Sequence, residues 1–209
     1  MNIKYSIYIK TFIIIENHYK KEFIIMMKKV LVPLAEGFEE IEAITIIDVL
    51  RRANIEVVTA SLSDNLEVKG AHNIIVKADA PLEKIINYDF DAAALAGGMG
   101  GMNNLKSDMR IIEKIRNMYE NKKLVSAICA SPIVLGEAGV IKGKYTCYPS
   151  CESMVKGGEY IEKDLVVCTD NVITSKGPAT TIFFALEIVK YLNGSNEELA
   201  NSLLIQLIK

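Results

Sequence analysis

Lys123-Leu124-Val125-Ser126-Ala127-Ile128-Cys129-Ala130-Ser131-Pro132 decides how this chain is read. Lys123 to Ile128 has the continuous apolar character of a short buried strand. Pro132, followed by Ile133-Val134-Leu135-Gly136-Glu137-Ala138, has the early proline that suits the first turn of a helix. The turn between strand and helix must be tight, and it carries a cysteine. A sulfur placed there faces unpaired backbone N–H groups and the positive end of the helix, both of which favour a thiolate and predict a lowered pKa for Cys129. The arrangement is a strand–nucleophile–helix elbow with sulfur as the nucleophile. The competing reading is plain packing, because free cysteines are among the most often buried residues.

Working outward from the elbow, strands and helices alternate. Val30 to Leu34 predicts a buried strand. Glu39 to Ala53 predicts an amphipathic helix with Ala43, Ile46, Ile47 and Leu50 on one face and acidic residues crowding its first turn. Ile55 to Ala60 reads as the next strand, and residues 66–69 and 73–76 around Gly70 read as a β-hairpin. Phe90 to Leu95 runs into a glycine turn, and a second long amphipathic helix is expected over Asp108 to Asn121. Beyond the elbow, residues 165–169 and 172–175 read as strands joined at Asp170-Asn171. A helix from Pro178 to Leu192 ends at Asn193-Gly194, and Ser195 caps a last helix. Repeated βα units predict an α/β fold, a flavodoxin-like doubly wound and mostly parallel sheet with helices on both faces.

Composition bounds the function. The chain has 209 residues, enough for one domain with a sizeable core, and shows no internal repeat and no proline- or serine-rich linker. Residues 28–209 are therefore read as a single domain. A net charge of −2 offers no general basic field, so no strong nucleic-acid binding is implied. The four cysteines, Cys129, Cys147, Cys151 and Cys168, form no C-x-x-C pair, and the two histidines are His18 and His72, so metal-site spacing is absent and no metal is expected. Cys147 and Cys151, four apart, are read as unpaired thiols in a reducing cytoplasm. Residues 1–27 differ from the rest. Their apolar run, Phe12 to Ile15, is too short to span a bilayer and lacks a cleavage signal, so no membrane partner is expected and the segment reads as a floppy or mis-assigned extension.

In a doubly wound sheet the ligand site lies beyond the carboxyl ends of the strands. Ala35 to Glu42, the glycine cluster Ala96-Gly97-Gly98-Met99-Gly100-Gly101 and Cys129 all fall there. Glycines let bare N–H groups approach a reacting oxygen, as an oxyanion hole requires. The cluster lacks the lysine and hydroxyl of a P-loop and the G-x-G-x-x-G spacing of a dinucleotide fold.

At these places the chain resembles a known family. Ala35-Glu36-Gly37-Phe38-Glu39-Glu40-Ile41-Glu42, Asp48-Val49-Leu50-Arg51-Arg52-Ala53, Ala96-Gly97-Gly98, Ala127-Ile128-Cys129-Ala130 and Thr174-Ser175-Lys176-Gly177-Pro178 resemble the ThiJ/PfpI superfamily, specifically its parkinsonism-associated deglycase branch. The resemblance runs from about Lys28 to Gly194. It implies a cytoplasmic flavodoxin-like homodimer with one reactive cysteine, matched by Cys129, and a glutamate from the first helix, matched by Glu42. It also implies glutathione-independent glyoxalase activity, repair of early glycation adducts on proteins and nucleotides, or a redox-responsive chaperone role.

The residues suit that chemistry. A carboxyl held against a thiolate is expected to be protonated, so Glu42 is a hydrogen-bond donor and proton shuttle, whereas Glu39 and Glu40 suit the simpler role of acids at a helix N-terminus. Cys129 would attack the aldehyde carbon of a small dicarbonyl, and the N–H groups of Gly98 and Ala130 would hold the developing oxygen charge. Gly97 and Tyr148 are expected to line the pocket, and no cofactor is required. Three positions depart from the resemblance. Tyr148 stands where some relatives have histidine, exchanging a group that titrates near neutrality for one near pH 10. Ala96 replaces a proline, and Lys176 replaces an arginine with its two-pronged grip on anions. His72, in the hairpin, is expected to be exposed and away from the motif segments.

Overall fold

The structure is a computed structural model and describes residues 27–208. The reading of the first 26 residues lies outside these. In chain order the elements are β1 (Lys29–Leu34), α1 (Glu40–Arg52), β2 (Glu56–Ser61), β3 (Glu67–Lys69), β4 (Ile75–Lys77), β5 (Ala80–Pro81), α2 (Leu82–Ile85), β6 (Ala92–Leu95), α3 (Met99–Ser107), α4 (Met109–Glu120) and β7 (Leu124–Ile128). There follow α5 (Pro132–Glu137), β8 (Lys144–Tyr145), β9 (Glu159–Tyr160), β10 (Val166–Thr169), β11 (Val172–Ser175), α6 (Thr181–Asn193) and α7 (Glu197–Ser202).

Seven strands form the main sheet in the order β10-β11-β7-β6-β1-β2-β5. Every pairing in it is parallel except the β10–β11 hairpin. β1, β6 and β7 sit in the middle and are almost wholly apolar, as strands covered on both sides must be: Val30, Val32, Leu34, Ala92 to Leu95 and Leu124 to Ile128 are all buried. From β1 the chain winds outward to β2 and then returns to β6 on the other side, so the switch point lies between β1 and β6. Right-handed crossovers in opposite directions put α1 on one face and α4 on the other. α6 packs beside α1, while α3, α4 and α5 pack together. The fold is the doubly wound α/β arrangement expected, and no helix among the described residues is long and apolar enough to cross a membrane.

Several local readings hold for the reasons given. β3 and β4 pair antiparallel. Asp108 caps α4 by accepting the Arg110 N–H at 3.0 Å, and α6 stops at Gly194 in the left-handed conformation (φ +81°). Others need correction. The glycine cluster is not only a turn, because α3 begins inside it at Met99; the Gly101 N–H donates to Gly37 O at 3.0 Å, docking this helix start on the loop after β1. β8 and β9, which form a small parallel pair, carry too little periodicity to be read in advance. Ser195 does not occupy the cap position of α7: Asn196 does, although Ser195 Oγ accepts the Glu197 N–H at 3.3 Å.

Candidate active site

The site forms where the loops after β1, β6 and β7 converge beside the switch point. Cys129 follows the last residue of β7 and has φ +63°, a left-handed backbone that a side-chain-bearing residue adopts only when its surroundings impose it. The surroundings are hydrogen bonds on each side. The Cys129 N–H donates to Ser175 O at 3.0 Å, its carbonyl accepts the Tyr148 N–H at 2.8 Å, and the next turn is fixed by the Ser131 hydroxyl donating to Ala96 O at 2.6 Å. Pro132 then opens α5 as expected. The elbow holds the sulfur against the loop after β6, and Cys129 as a whole is 8% exposed.

Glu42 reaches the same point from α1. Glu39 is the N-cap, its carboxylate accepting the Glu42 N–H at 2.7 Å, and this sets the first turn so that the Glu42 side chain turns inward and is completely buried. Glu42 Oε2 accepts the Gly97 N–H at 2.6 Å, while Oε1 is buried without a hydrogen-bond partner. The third wall is glycine by necessity. A Cβ on Gly97 would lie 2.6 Å from Cys129 Cβ and 2.8 Å from Glu42 Oε2. At Gly98 (φ +82°) a Cβ would lie 2.4 Å from Gly37 O.

Electrostatically, carboxyl and thiol form one unit. Burial pushes the Glu42 carboxyl up to about 7, opposed by the Gly97 N–H and the contact with Cys129. Burial, and then the charge of Glu42, push the Cys129 thiol up to about 12, while the N–H groups of Gly98 and Ala130 pull the other way. The expectation of a lowered thiol pKa is therefore corrected. The helix end and the two N–H donors are present, but a buried sulfur beside an ionised carboxylate loses more than they return. Removing the first proton leaves a single proton and a single charge divided between oxygen and sulfur. With that proton on Glu42, the sulfur carries the charge and both N–H donors face it, so the expected donor role of Glu42 and the thiolate belong to the same microstate.

Cys129, Glu42, Gly97, Gly98 and Ala130 are thus brought together. Tyr148 joins them through its backbone N–H, but its half-exposed side chain leans over Gly177, where a Cβ would lie 3.2 Å from Tyr148 Cδ2. Lys176 donates to the Glu162 carbonyl, and Ala96 supplies the carbonyl that anchors Ser131. His72 has an exposed ring, as expected, yet it is not remote from the motif segments: its N–H and Nδ1 meet Glu40 at 2.6 Å and 2.8 Å. Burial alone would raise Glu40, but these bonds hold its carboxyl below the usual range. The fold brings ligand atoms of Glu39, Glu40 and His72 within 4.8 Å of one another, and spacing rules do not detect the proximity because His72 lies 32 positions beyond Glu40. A cavity of about 560 Å³ opens at the ends of β1 and β2, lined by residues including Glu36, Ser61, Ser63, Asn104 and Asp108; neither Cys129 nor Glu42 lines it. The candidate site is marked by its convergent titratable groups and not by volume.

The chain as a whole has counterparts among known proteins. The DJ-1/PfpI family matches residues 28–191. The chain belongs to the DJ-1/PfpI family. Drosophila melanogaster Protein dj-1beta is 39% identical over 184 residues, spanning 86% of this chain and 98% of the relative. The Caenorhabditis elegans protein named Glutathione-independent glyoxalase DJR-1.2 is 39% identical over 170 residues, spanning 81% of this chain and 89% of its own length. The crystal structure of the Drosophila DJ-1beta superposes with a TM-score of 0.83 at 37% identity, covering 86% of this chain and 98% of that one. Membership supports a DJ-1-type function.

Proposed function

We propose that this DJ-1/PfpI protein is a cytoplasmic, cysteine-dependent glyoxalase or deglycase acting on small dicarbonyls such as methylglyoxal, or on the early adducts they form on proteins and nucleotides. The observation that carries the reading is the Glu42–Cys129 pair, a buried acid with one unpartnered oxygen across Gly97 from a sulfur whose thiolate the backbone N–H groups of Gly98 and Ala130 favour. The relative named as a glutathione-independent glyoxalase supports it. An opening that leaves the cysteine 8% exposed suits a small aldehyde.

The chemistry balances without an external oxidant. The Cys129 sulfur bonds to the aldehyde carbon as the carbonyl π pair moves to oxygen, where the Gly98 and Ala130 N–H groups steady it and the proton held by the pair neutralises it. Glu42, then ionised, takes the hydrogen of the former aldehyde carbon as a proton to give an enediolate, the hydroxyl proton of that carbon passes to the neighbouring oxygen, and Glu42 returns its proton to the neighbouring carbon, so that the first carbon is oxidised to a thioester carbonyl and the second reduced to an alcohol. Water displaces the sulfur from the resulting thioester, giving lactate and the free thiol. An early adduct enters at the hemithioacetal stage, with the protein or nucleotide amine as leaving group. Purified protein with methylglyoxal, followed for lactate with Cys129→Ala as control, tests the reading: lactate from wild type alone supports it, and no lactate from either refutes it.

A second reading, redox sensing or chaperone action without turnover, is favoured by Tyr148, which leaves Glu42 as the group at the sulfur that titrates near neutrality. The same N–H donors would hold a Cys129 sulfinate. Ile41 and Ile44 on α1, with Ile74 and Ile75 on the hairpin, are large and exposed, which supports the homodimer in either reading.

A further inference from the structure

The cavity of about 560 Å³ at the ends of β1 and β2 takes no part in the proposed reaction. It lies where a doubly wound sheet binds ligands, beyond the carboxyl ends of its strands, and its volume falls in the range of about 300–1,000 Å³ usual for small-molecule sites. Part of its lining is apolar and fixed in the core: Leu34, Ala35 and Val68 are each no more than 2% exposed. The polar lining has committed its donors to the protein. The Ser61 hydroxyl donates to Asn65 O at 2.6 Å, the Ser107 hydroxyl to Asn103 O at 2.9 Å, and the Asn104 amide to Glu36 O at 2.9 Å. Acceptors are left over. Glu36 Oε1 accepts the Lys69 N–H at only 3.3 Å, and no ion pair among the described residues includes Glu36. Asp108, the other acid of the lining, is instead matched by Arg110, whose Nε and Nη2 donate to it at 3.0 Å and 2.6 Å. A ligand that suits this cavity brings its own donors, a positive charge for Glu36 and an apolar stem for the buried lining.

We propose that this cavity is a second binding site, one that takes a primary aliphatic ammonium group, with its methylenes against Leu34 and Val68 and its charge on the Glu36 carboxylate. The three N–H donors of an ammonium match the carboxylate, the Asn104 side-chain carbonyl and the hydroxyl oxygens that the protein leaves unused, and its alkyl stem covers the apolar lining. An anionic ligand is repelled by Glu36, and a neutral apolar one leaves the acceptors unmatched. A lysine side chain of a polypeptide and a free polyamine share the ammonium chemistry. One loop connects the cavity to the candidate active site. Glu36 is followed by Gly37, whose carbonyl accepts the Gly101 N–H at 3.0 Å and would lie 2.4 Å from a Cβ on Gly98. A ligand on Glu36 therefore bears on the loop that packs against the glycine wall beside Cys129, while binding itself needs no glyoxalase chemistry.

Full-length protein labelled with nitrogen-15, titrated separately with spermidine and with Nα-acetyl-lysine methylamide, tests this by the amide signals that move. Saturable shifts are expected at Glu36 and over residues 61–65 and 104–109, with succinate, an anion of similar size, moving none of them. A response to spermidine alone assigns the site to a free polyamine, and a response to the lysine amide assigns it to a polypeptide side chain; either upholds the proposal. Glu36→Gln should weaken binding by roughly fivefold, the upper end for an exposed ion pair. Ser107→Trp, which fills the cavity from the exposed surface of α3, should abolish it. Cys129→Ala should bind as wild type does, whether or not the protein makes lactate, because the sulfur does not line the cavity. No saturable shift with either probe, shifts gathered elsewhere on the protein, or an affinity unchanged in Glu36→Gln would overturn the proposal.

Discussion

Glu42 and Cys129 meet through the space that Gly97 leaves empty: Glu42 Oε2 lies 2.6 Å from the Gly97 nitrogen, and a Cβ on Gly97 would press on both Cys129 and Glu42 Oε2. Acid and sulfur come from residues 87 positions apart, on opposite sides of the switch point, and a residue without a side chain lets them touch.

Gly97→Ala should therefore remove activity before it unfolds the protein. The added methyl must displace Cys129 Cβ or the Glu42 carboxylate, costing about 1–3 kcal/mol as overpacking does. Thermal melting should fall by a few degrees while lactate release falls by roughly 10²-fold, the scale expected when a reacting group is misplaced by about 1 Å. An active Gly97→Ala protein would show that the pair need not touch.

The left-handed backbone at Cys129 (φ +63°) predicts a stability order for two inactive variants. Ala keeps the cost of this conformation and Gly does not, so Cys129→Gly should be more stable than Cys129→Ala by about 1 kcal/mol. Urea unfolding of the two side by side measures it, and the reverse order would mean that the elbow is unstrained.

Glu42 also sets a pH dependence. Its pKa is raised from 4.5 to about 7 in the folded protein, so the native state holds a proton that the unfolded chain has released, and stability is lost as pH rises through that interval. At about 1.4 kcal/mol per pH unit the loss is on the order of 3 kcal/mol, complete above pH about 7 and absent below about 4.5. Glu42→Gln, which has no charge to desolvate, should flatten the melting temperature between those limits and gain on wild type at the alkaline end. Parallel pH profiles for both proteins would contradict a buried, titrating Glu42.

Peroxide in excess should leave sulfinate first at Cys129. Cys168 is more exposed, but the Gly98 and Ala130 N–H groups and the Glu42 proton can bind sulfinate oxygens at Cys129. Peptide mass spectrometry over a peroxide series checks this, and sulfinate appearing first at Cys168 would contradict it.

The sheet was legible because its central strands, Val30 to Leu34, Ala92 to Leu95 and Leu124 to Ile128, are continuous apolar runs and α1 and α4 are strongly periodic. The elbow was legible because Pro132 marks the helix start. The sulfur's protonation was not: a sequence shows the helix end that favours a thiolate, but not the burial and the facing carboxylate that oppose it. The contact of His72 with Glu40 was hidden for a similar reason, since it is made by the hairpin folding back over α1 across 32 residues. α3 was missed because Gly100 and Gly101 look like helix breakers, whereas here they let a helix start dock against Gly37 and Phe38.

The central claim is that Glu42 moves protons for Cys129 rather than merely sitting beside it. Glu42→Gln keeps the shape and a donor but cannot exchange a proton usefully, so lactate release from methylglyoxal and alkylation of Cys129 should be measured together for this variant and wild type. The account predicts lactate release lower by roughly 10²-fold or more, with Cys129 still open to modification. Lactate release unchanged in Glu42→Gln would contradict it.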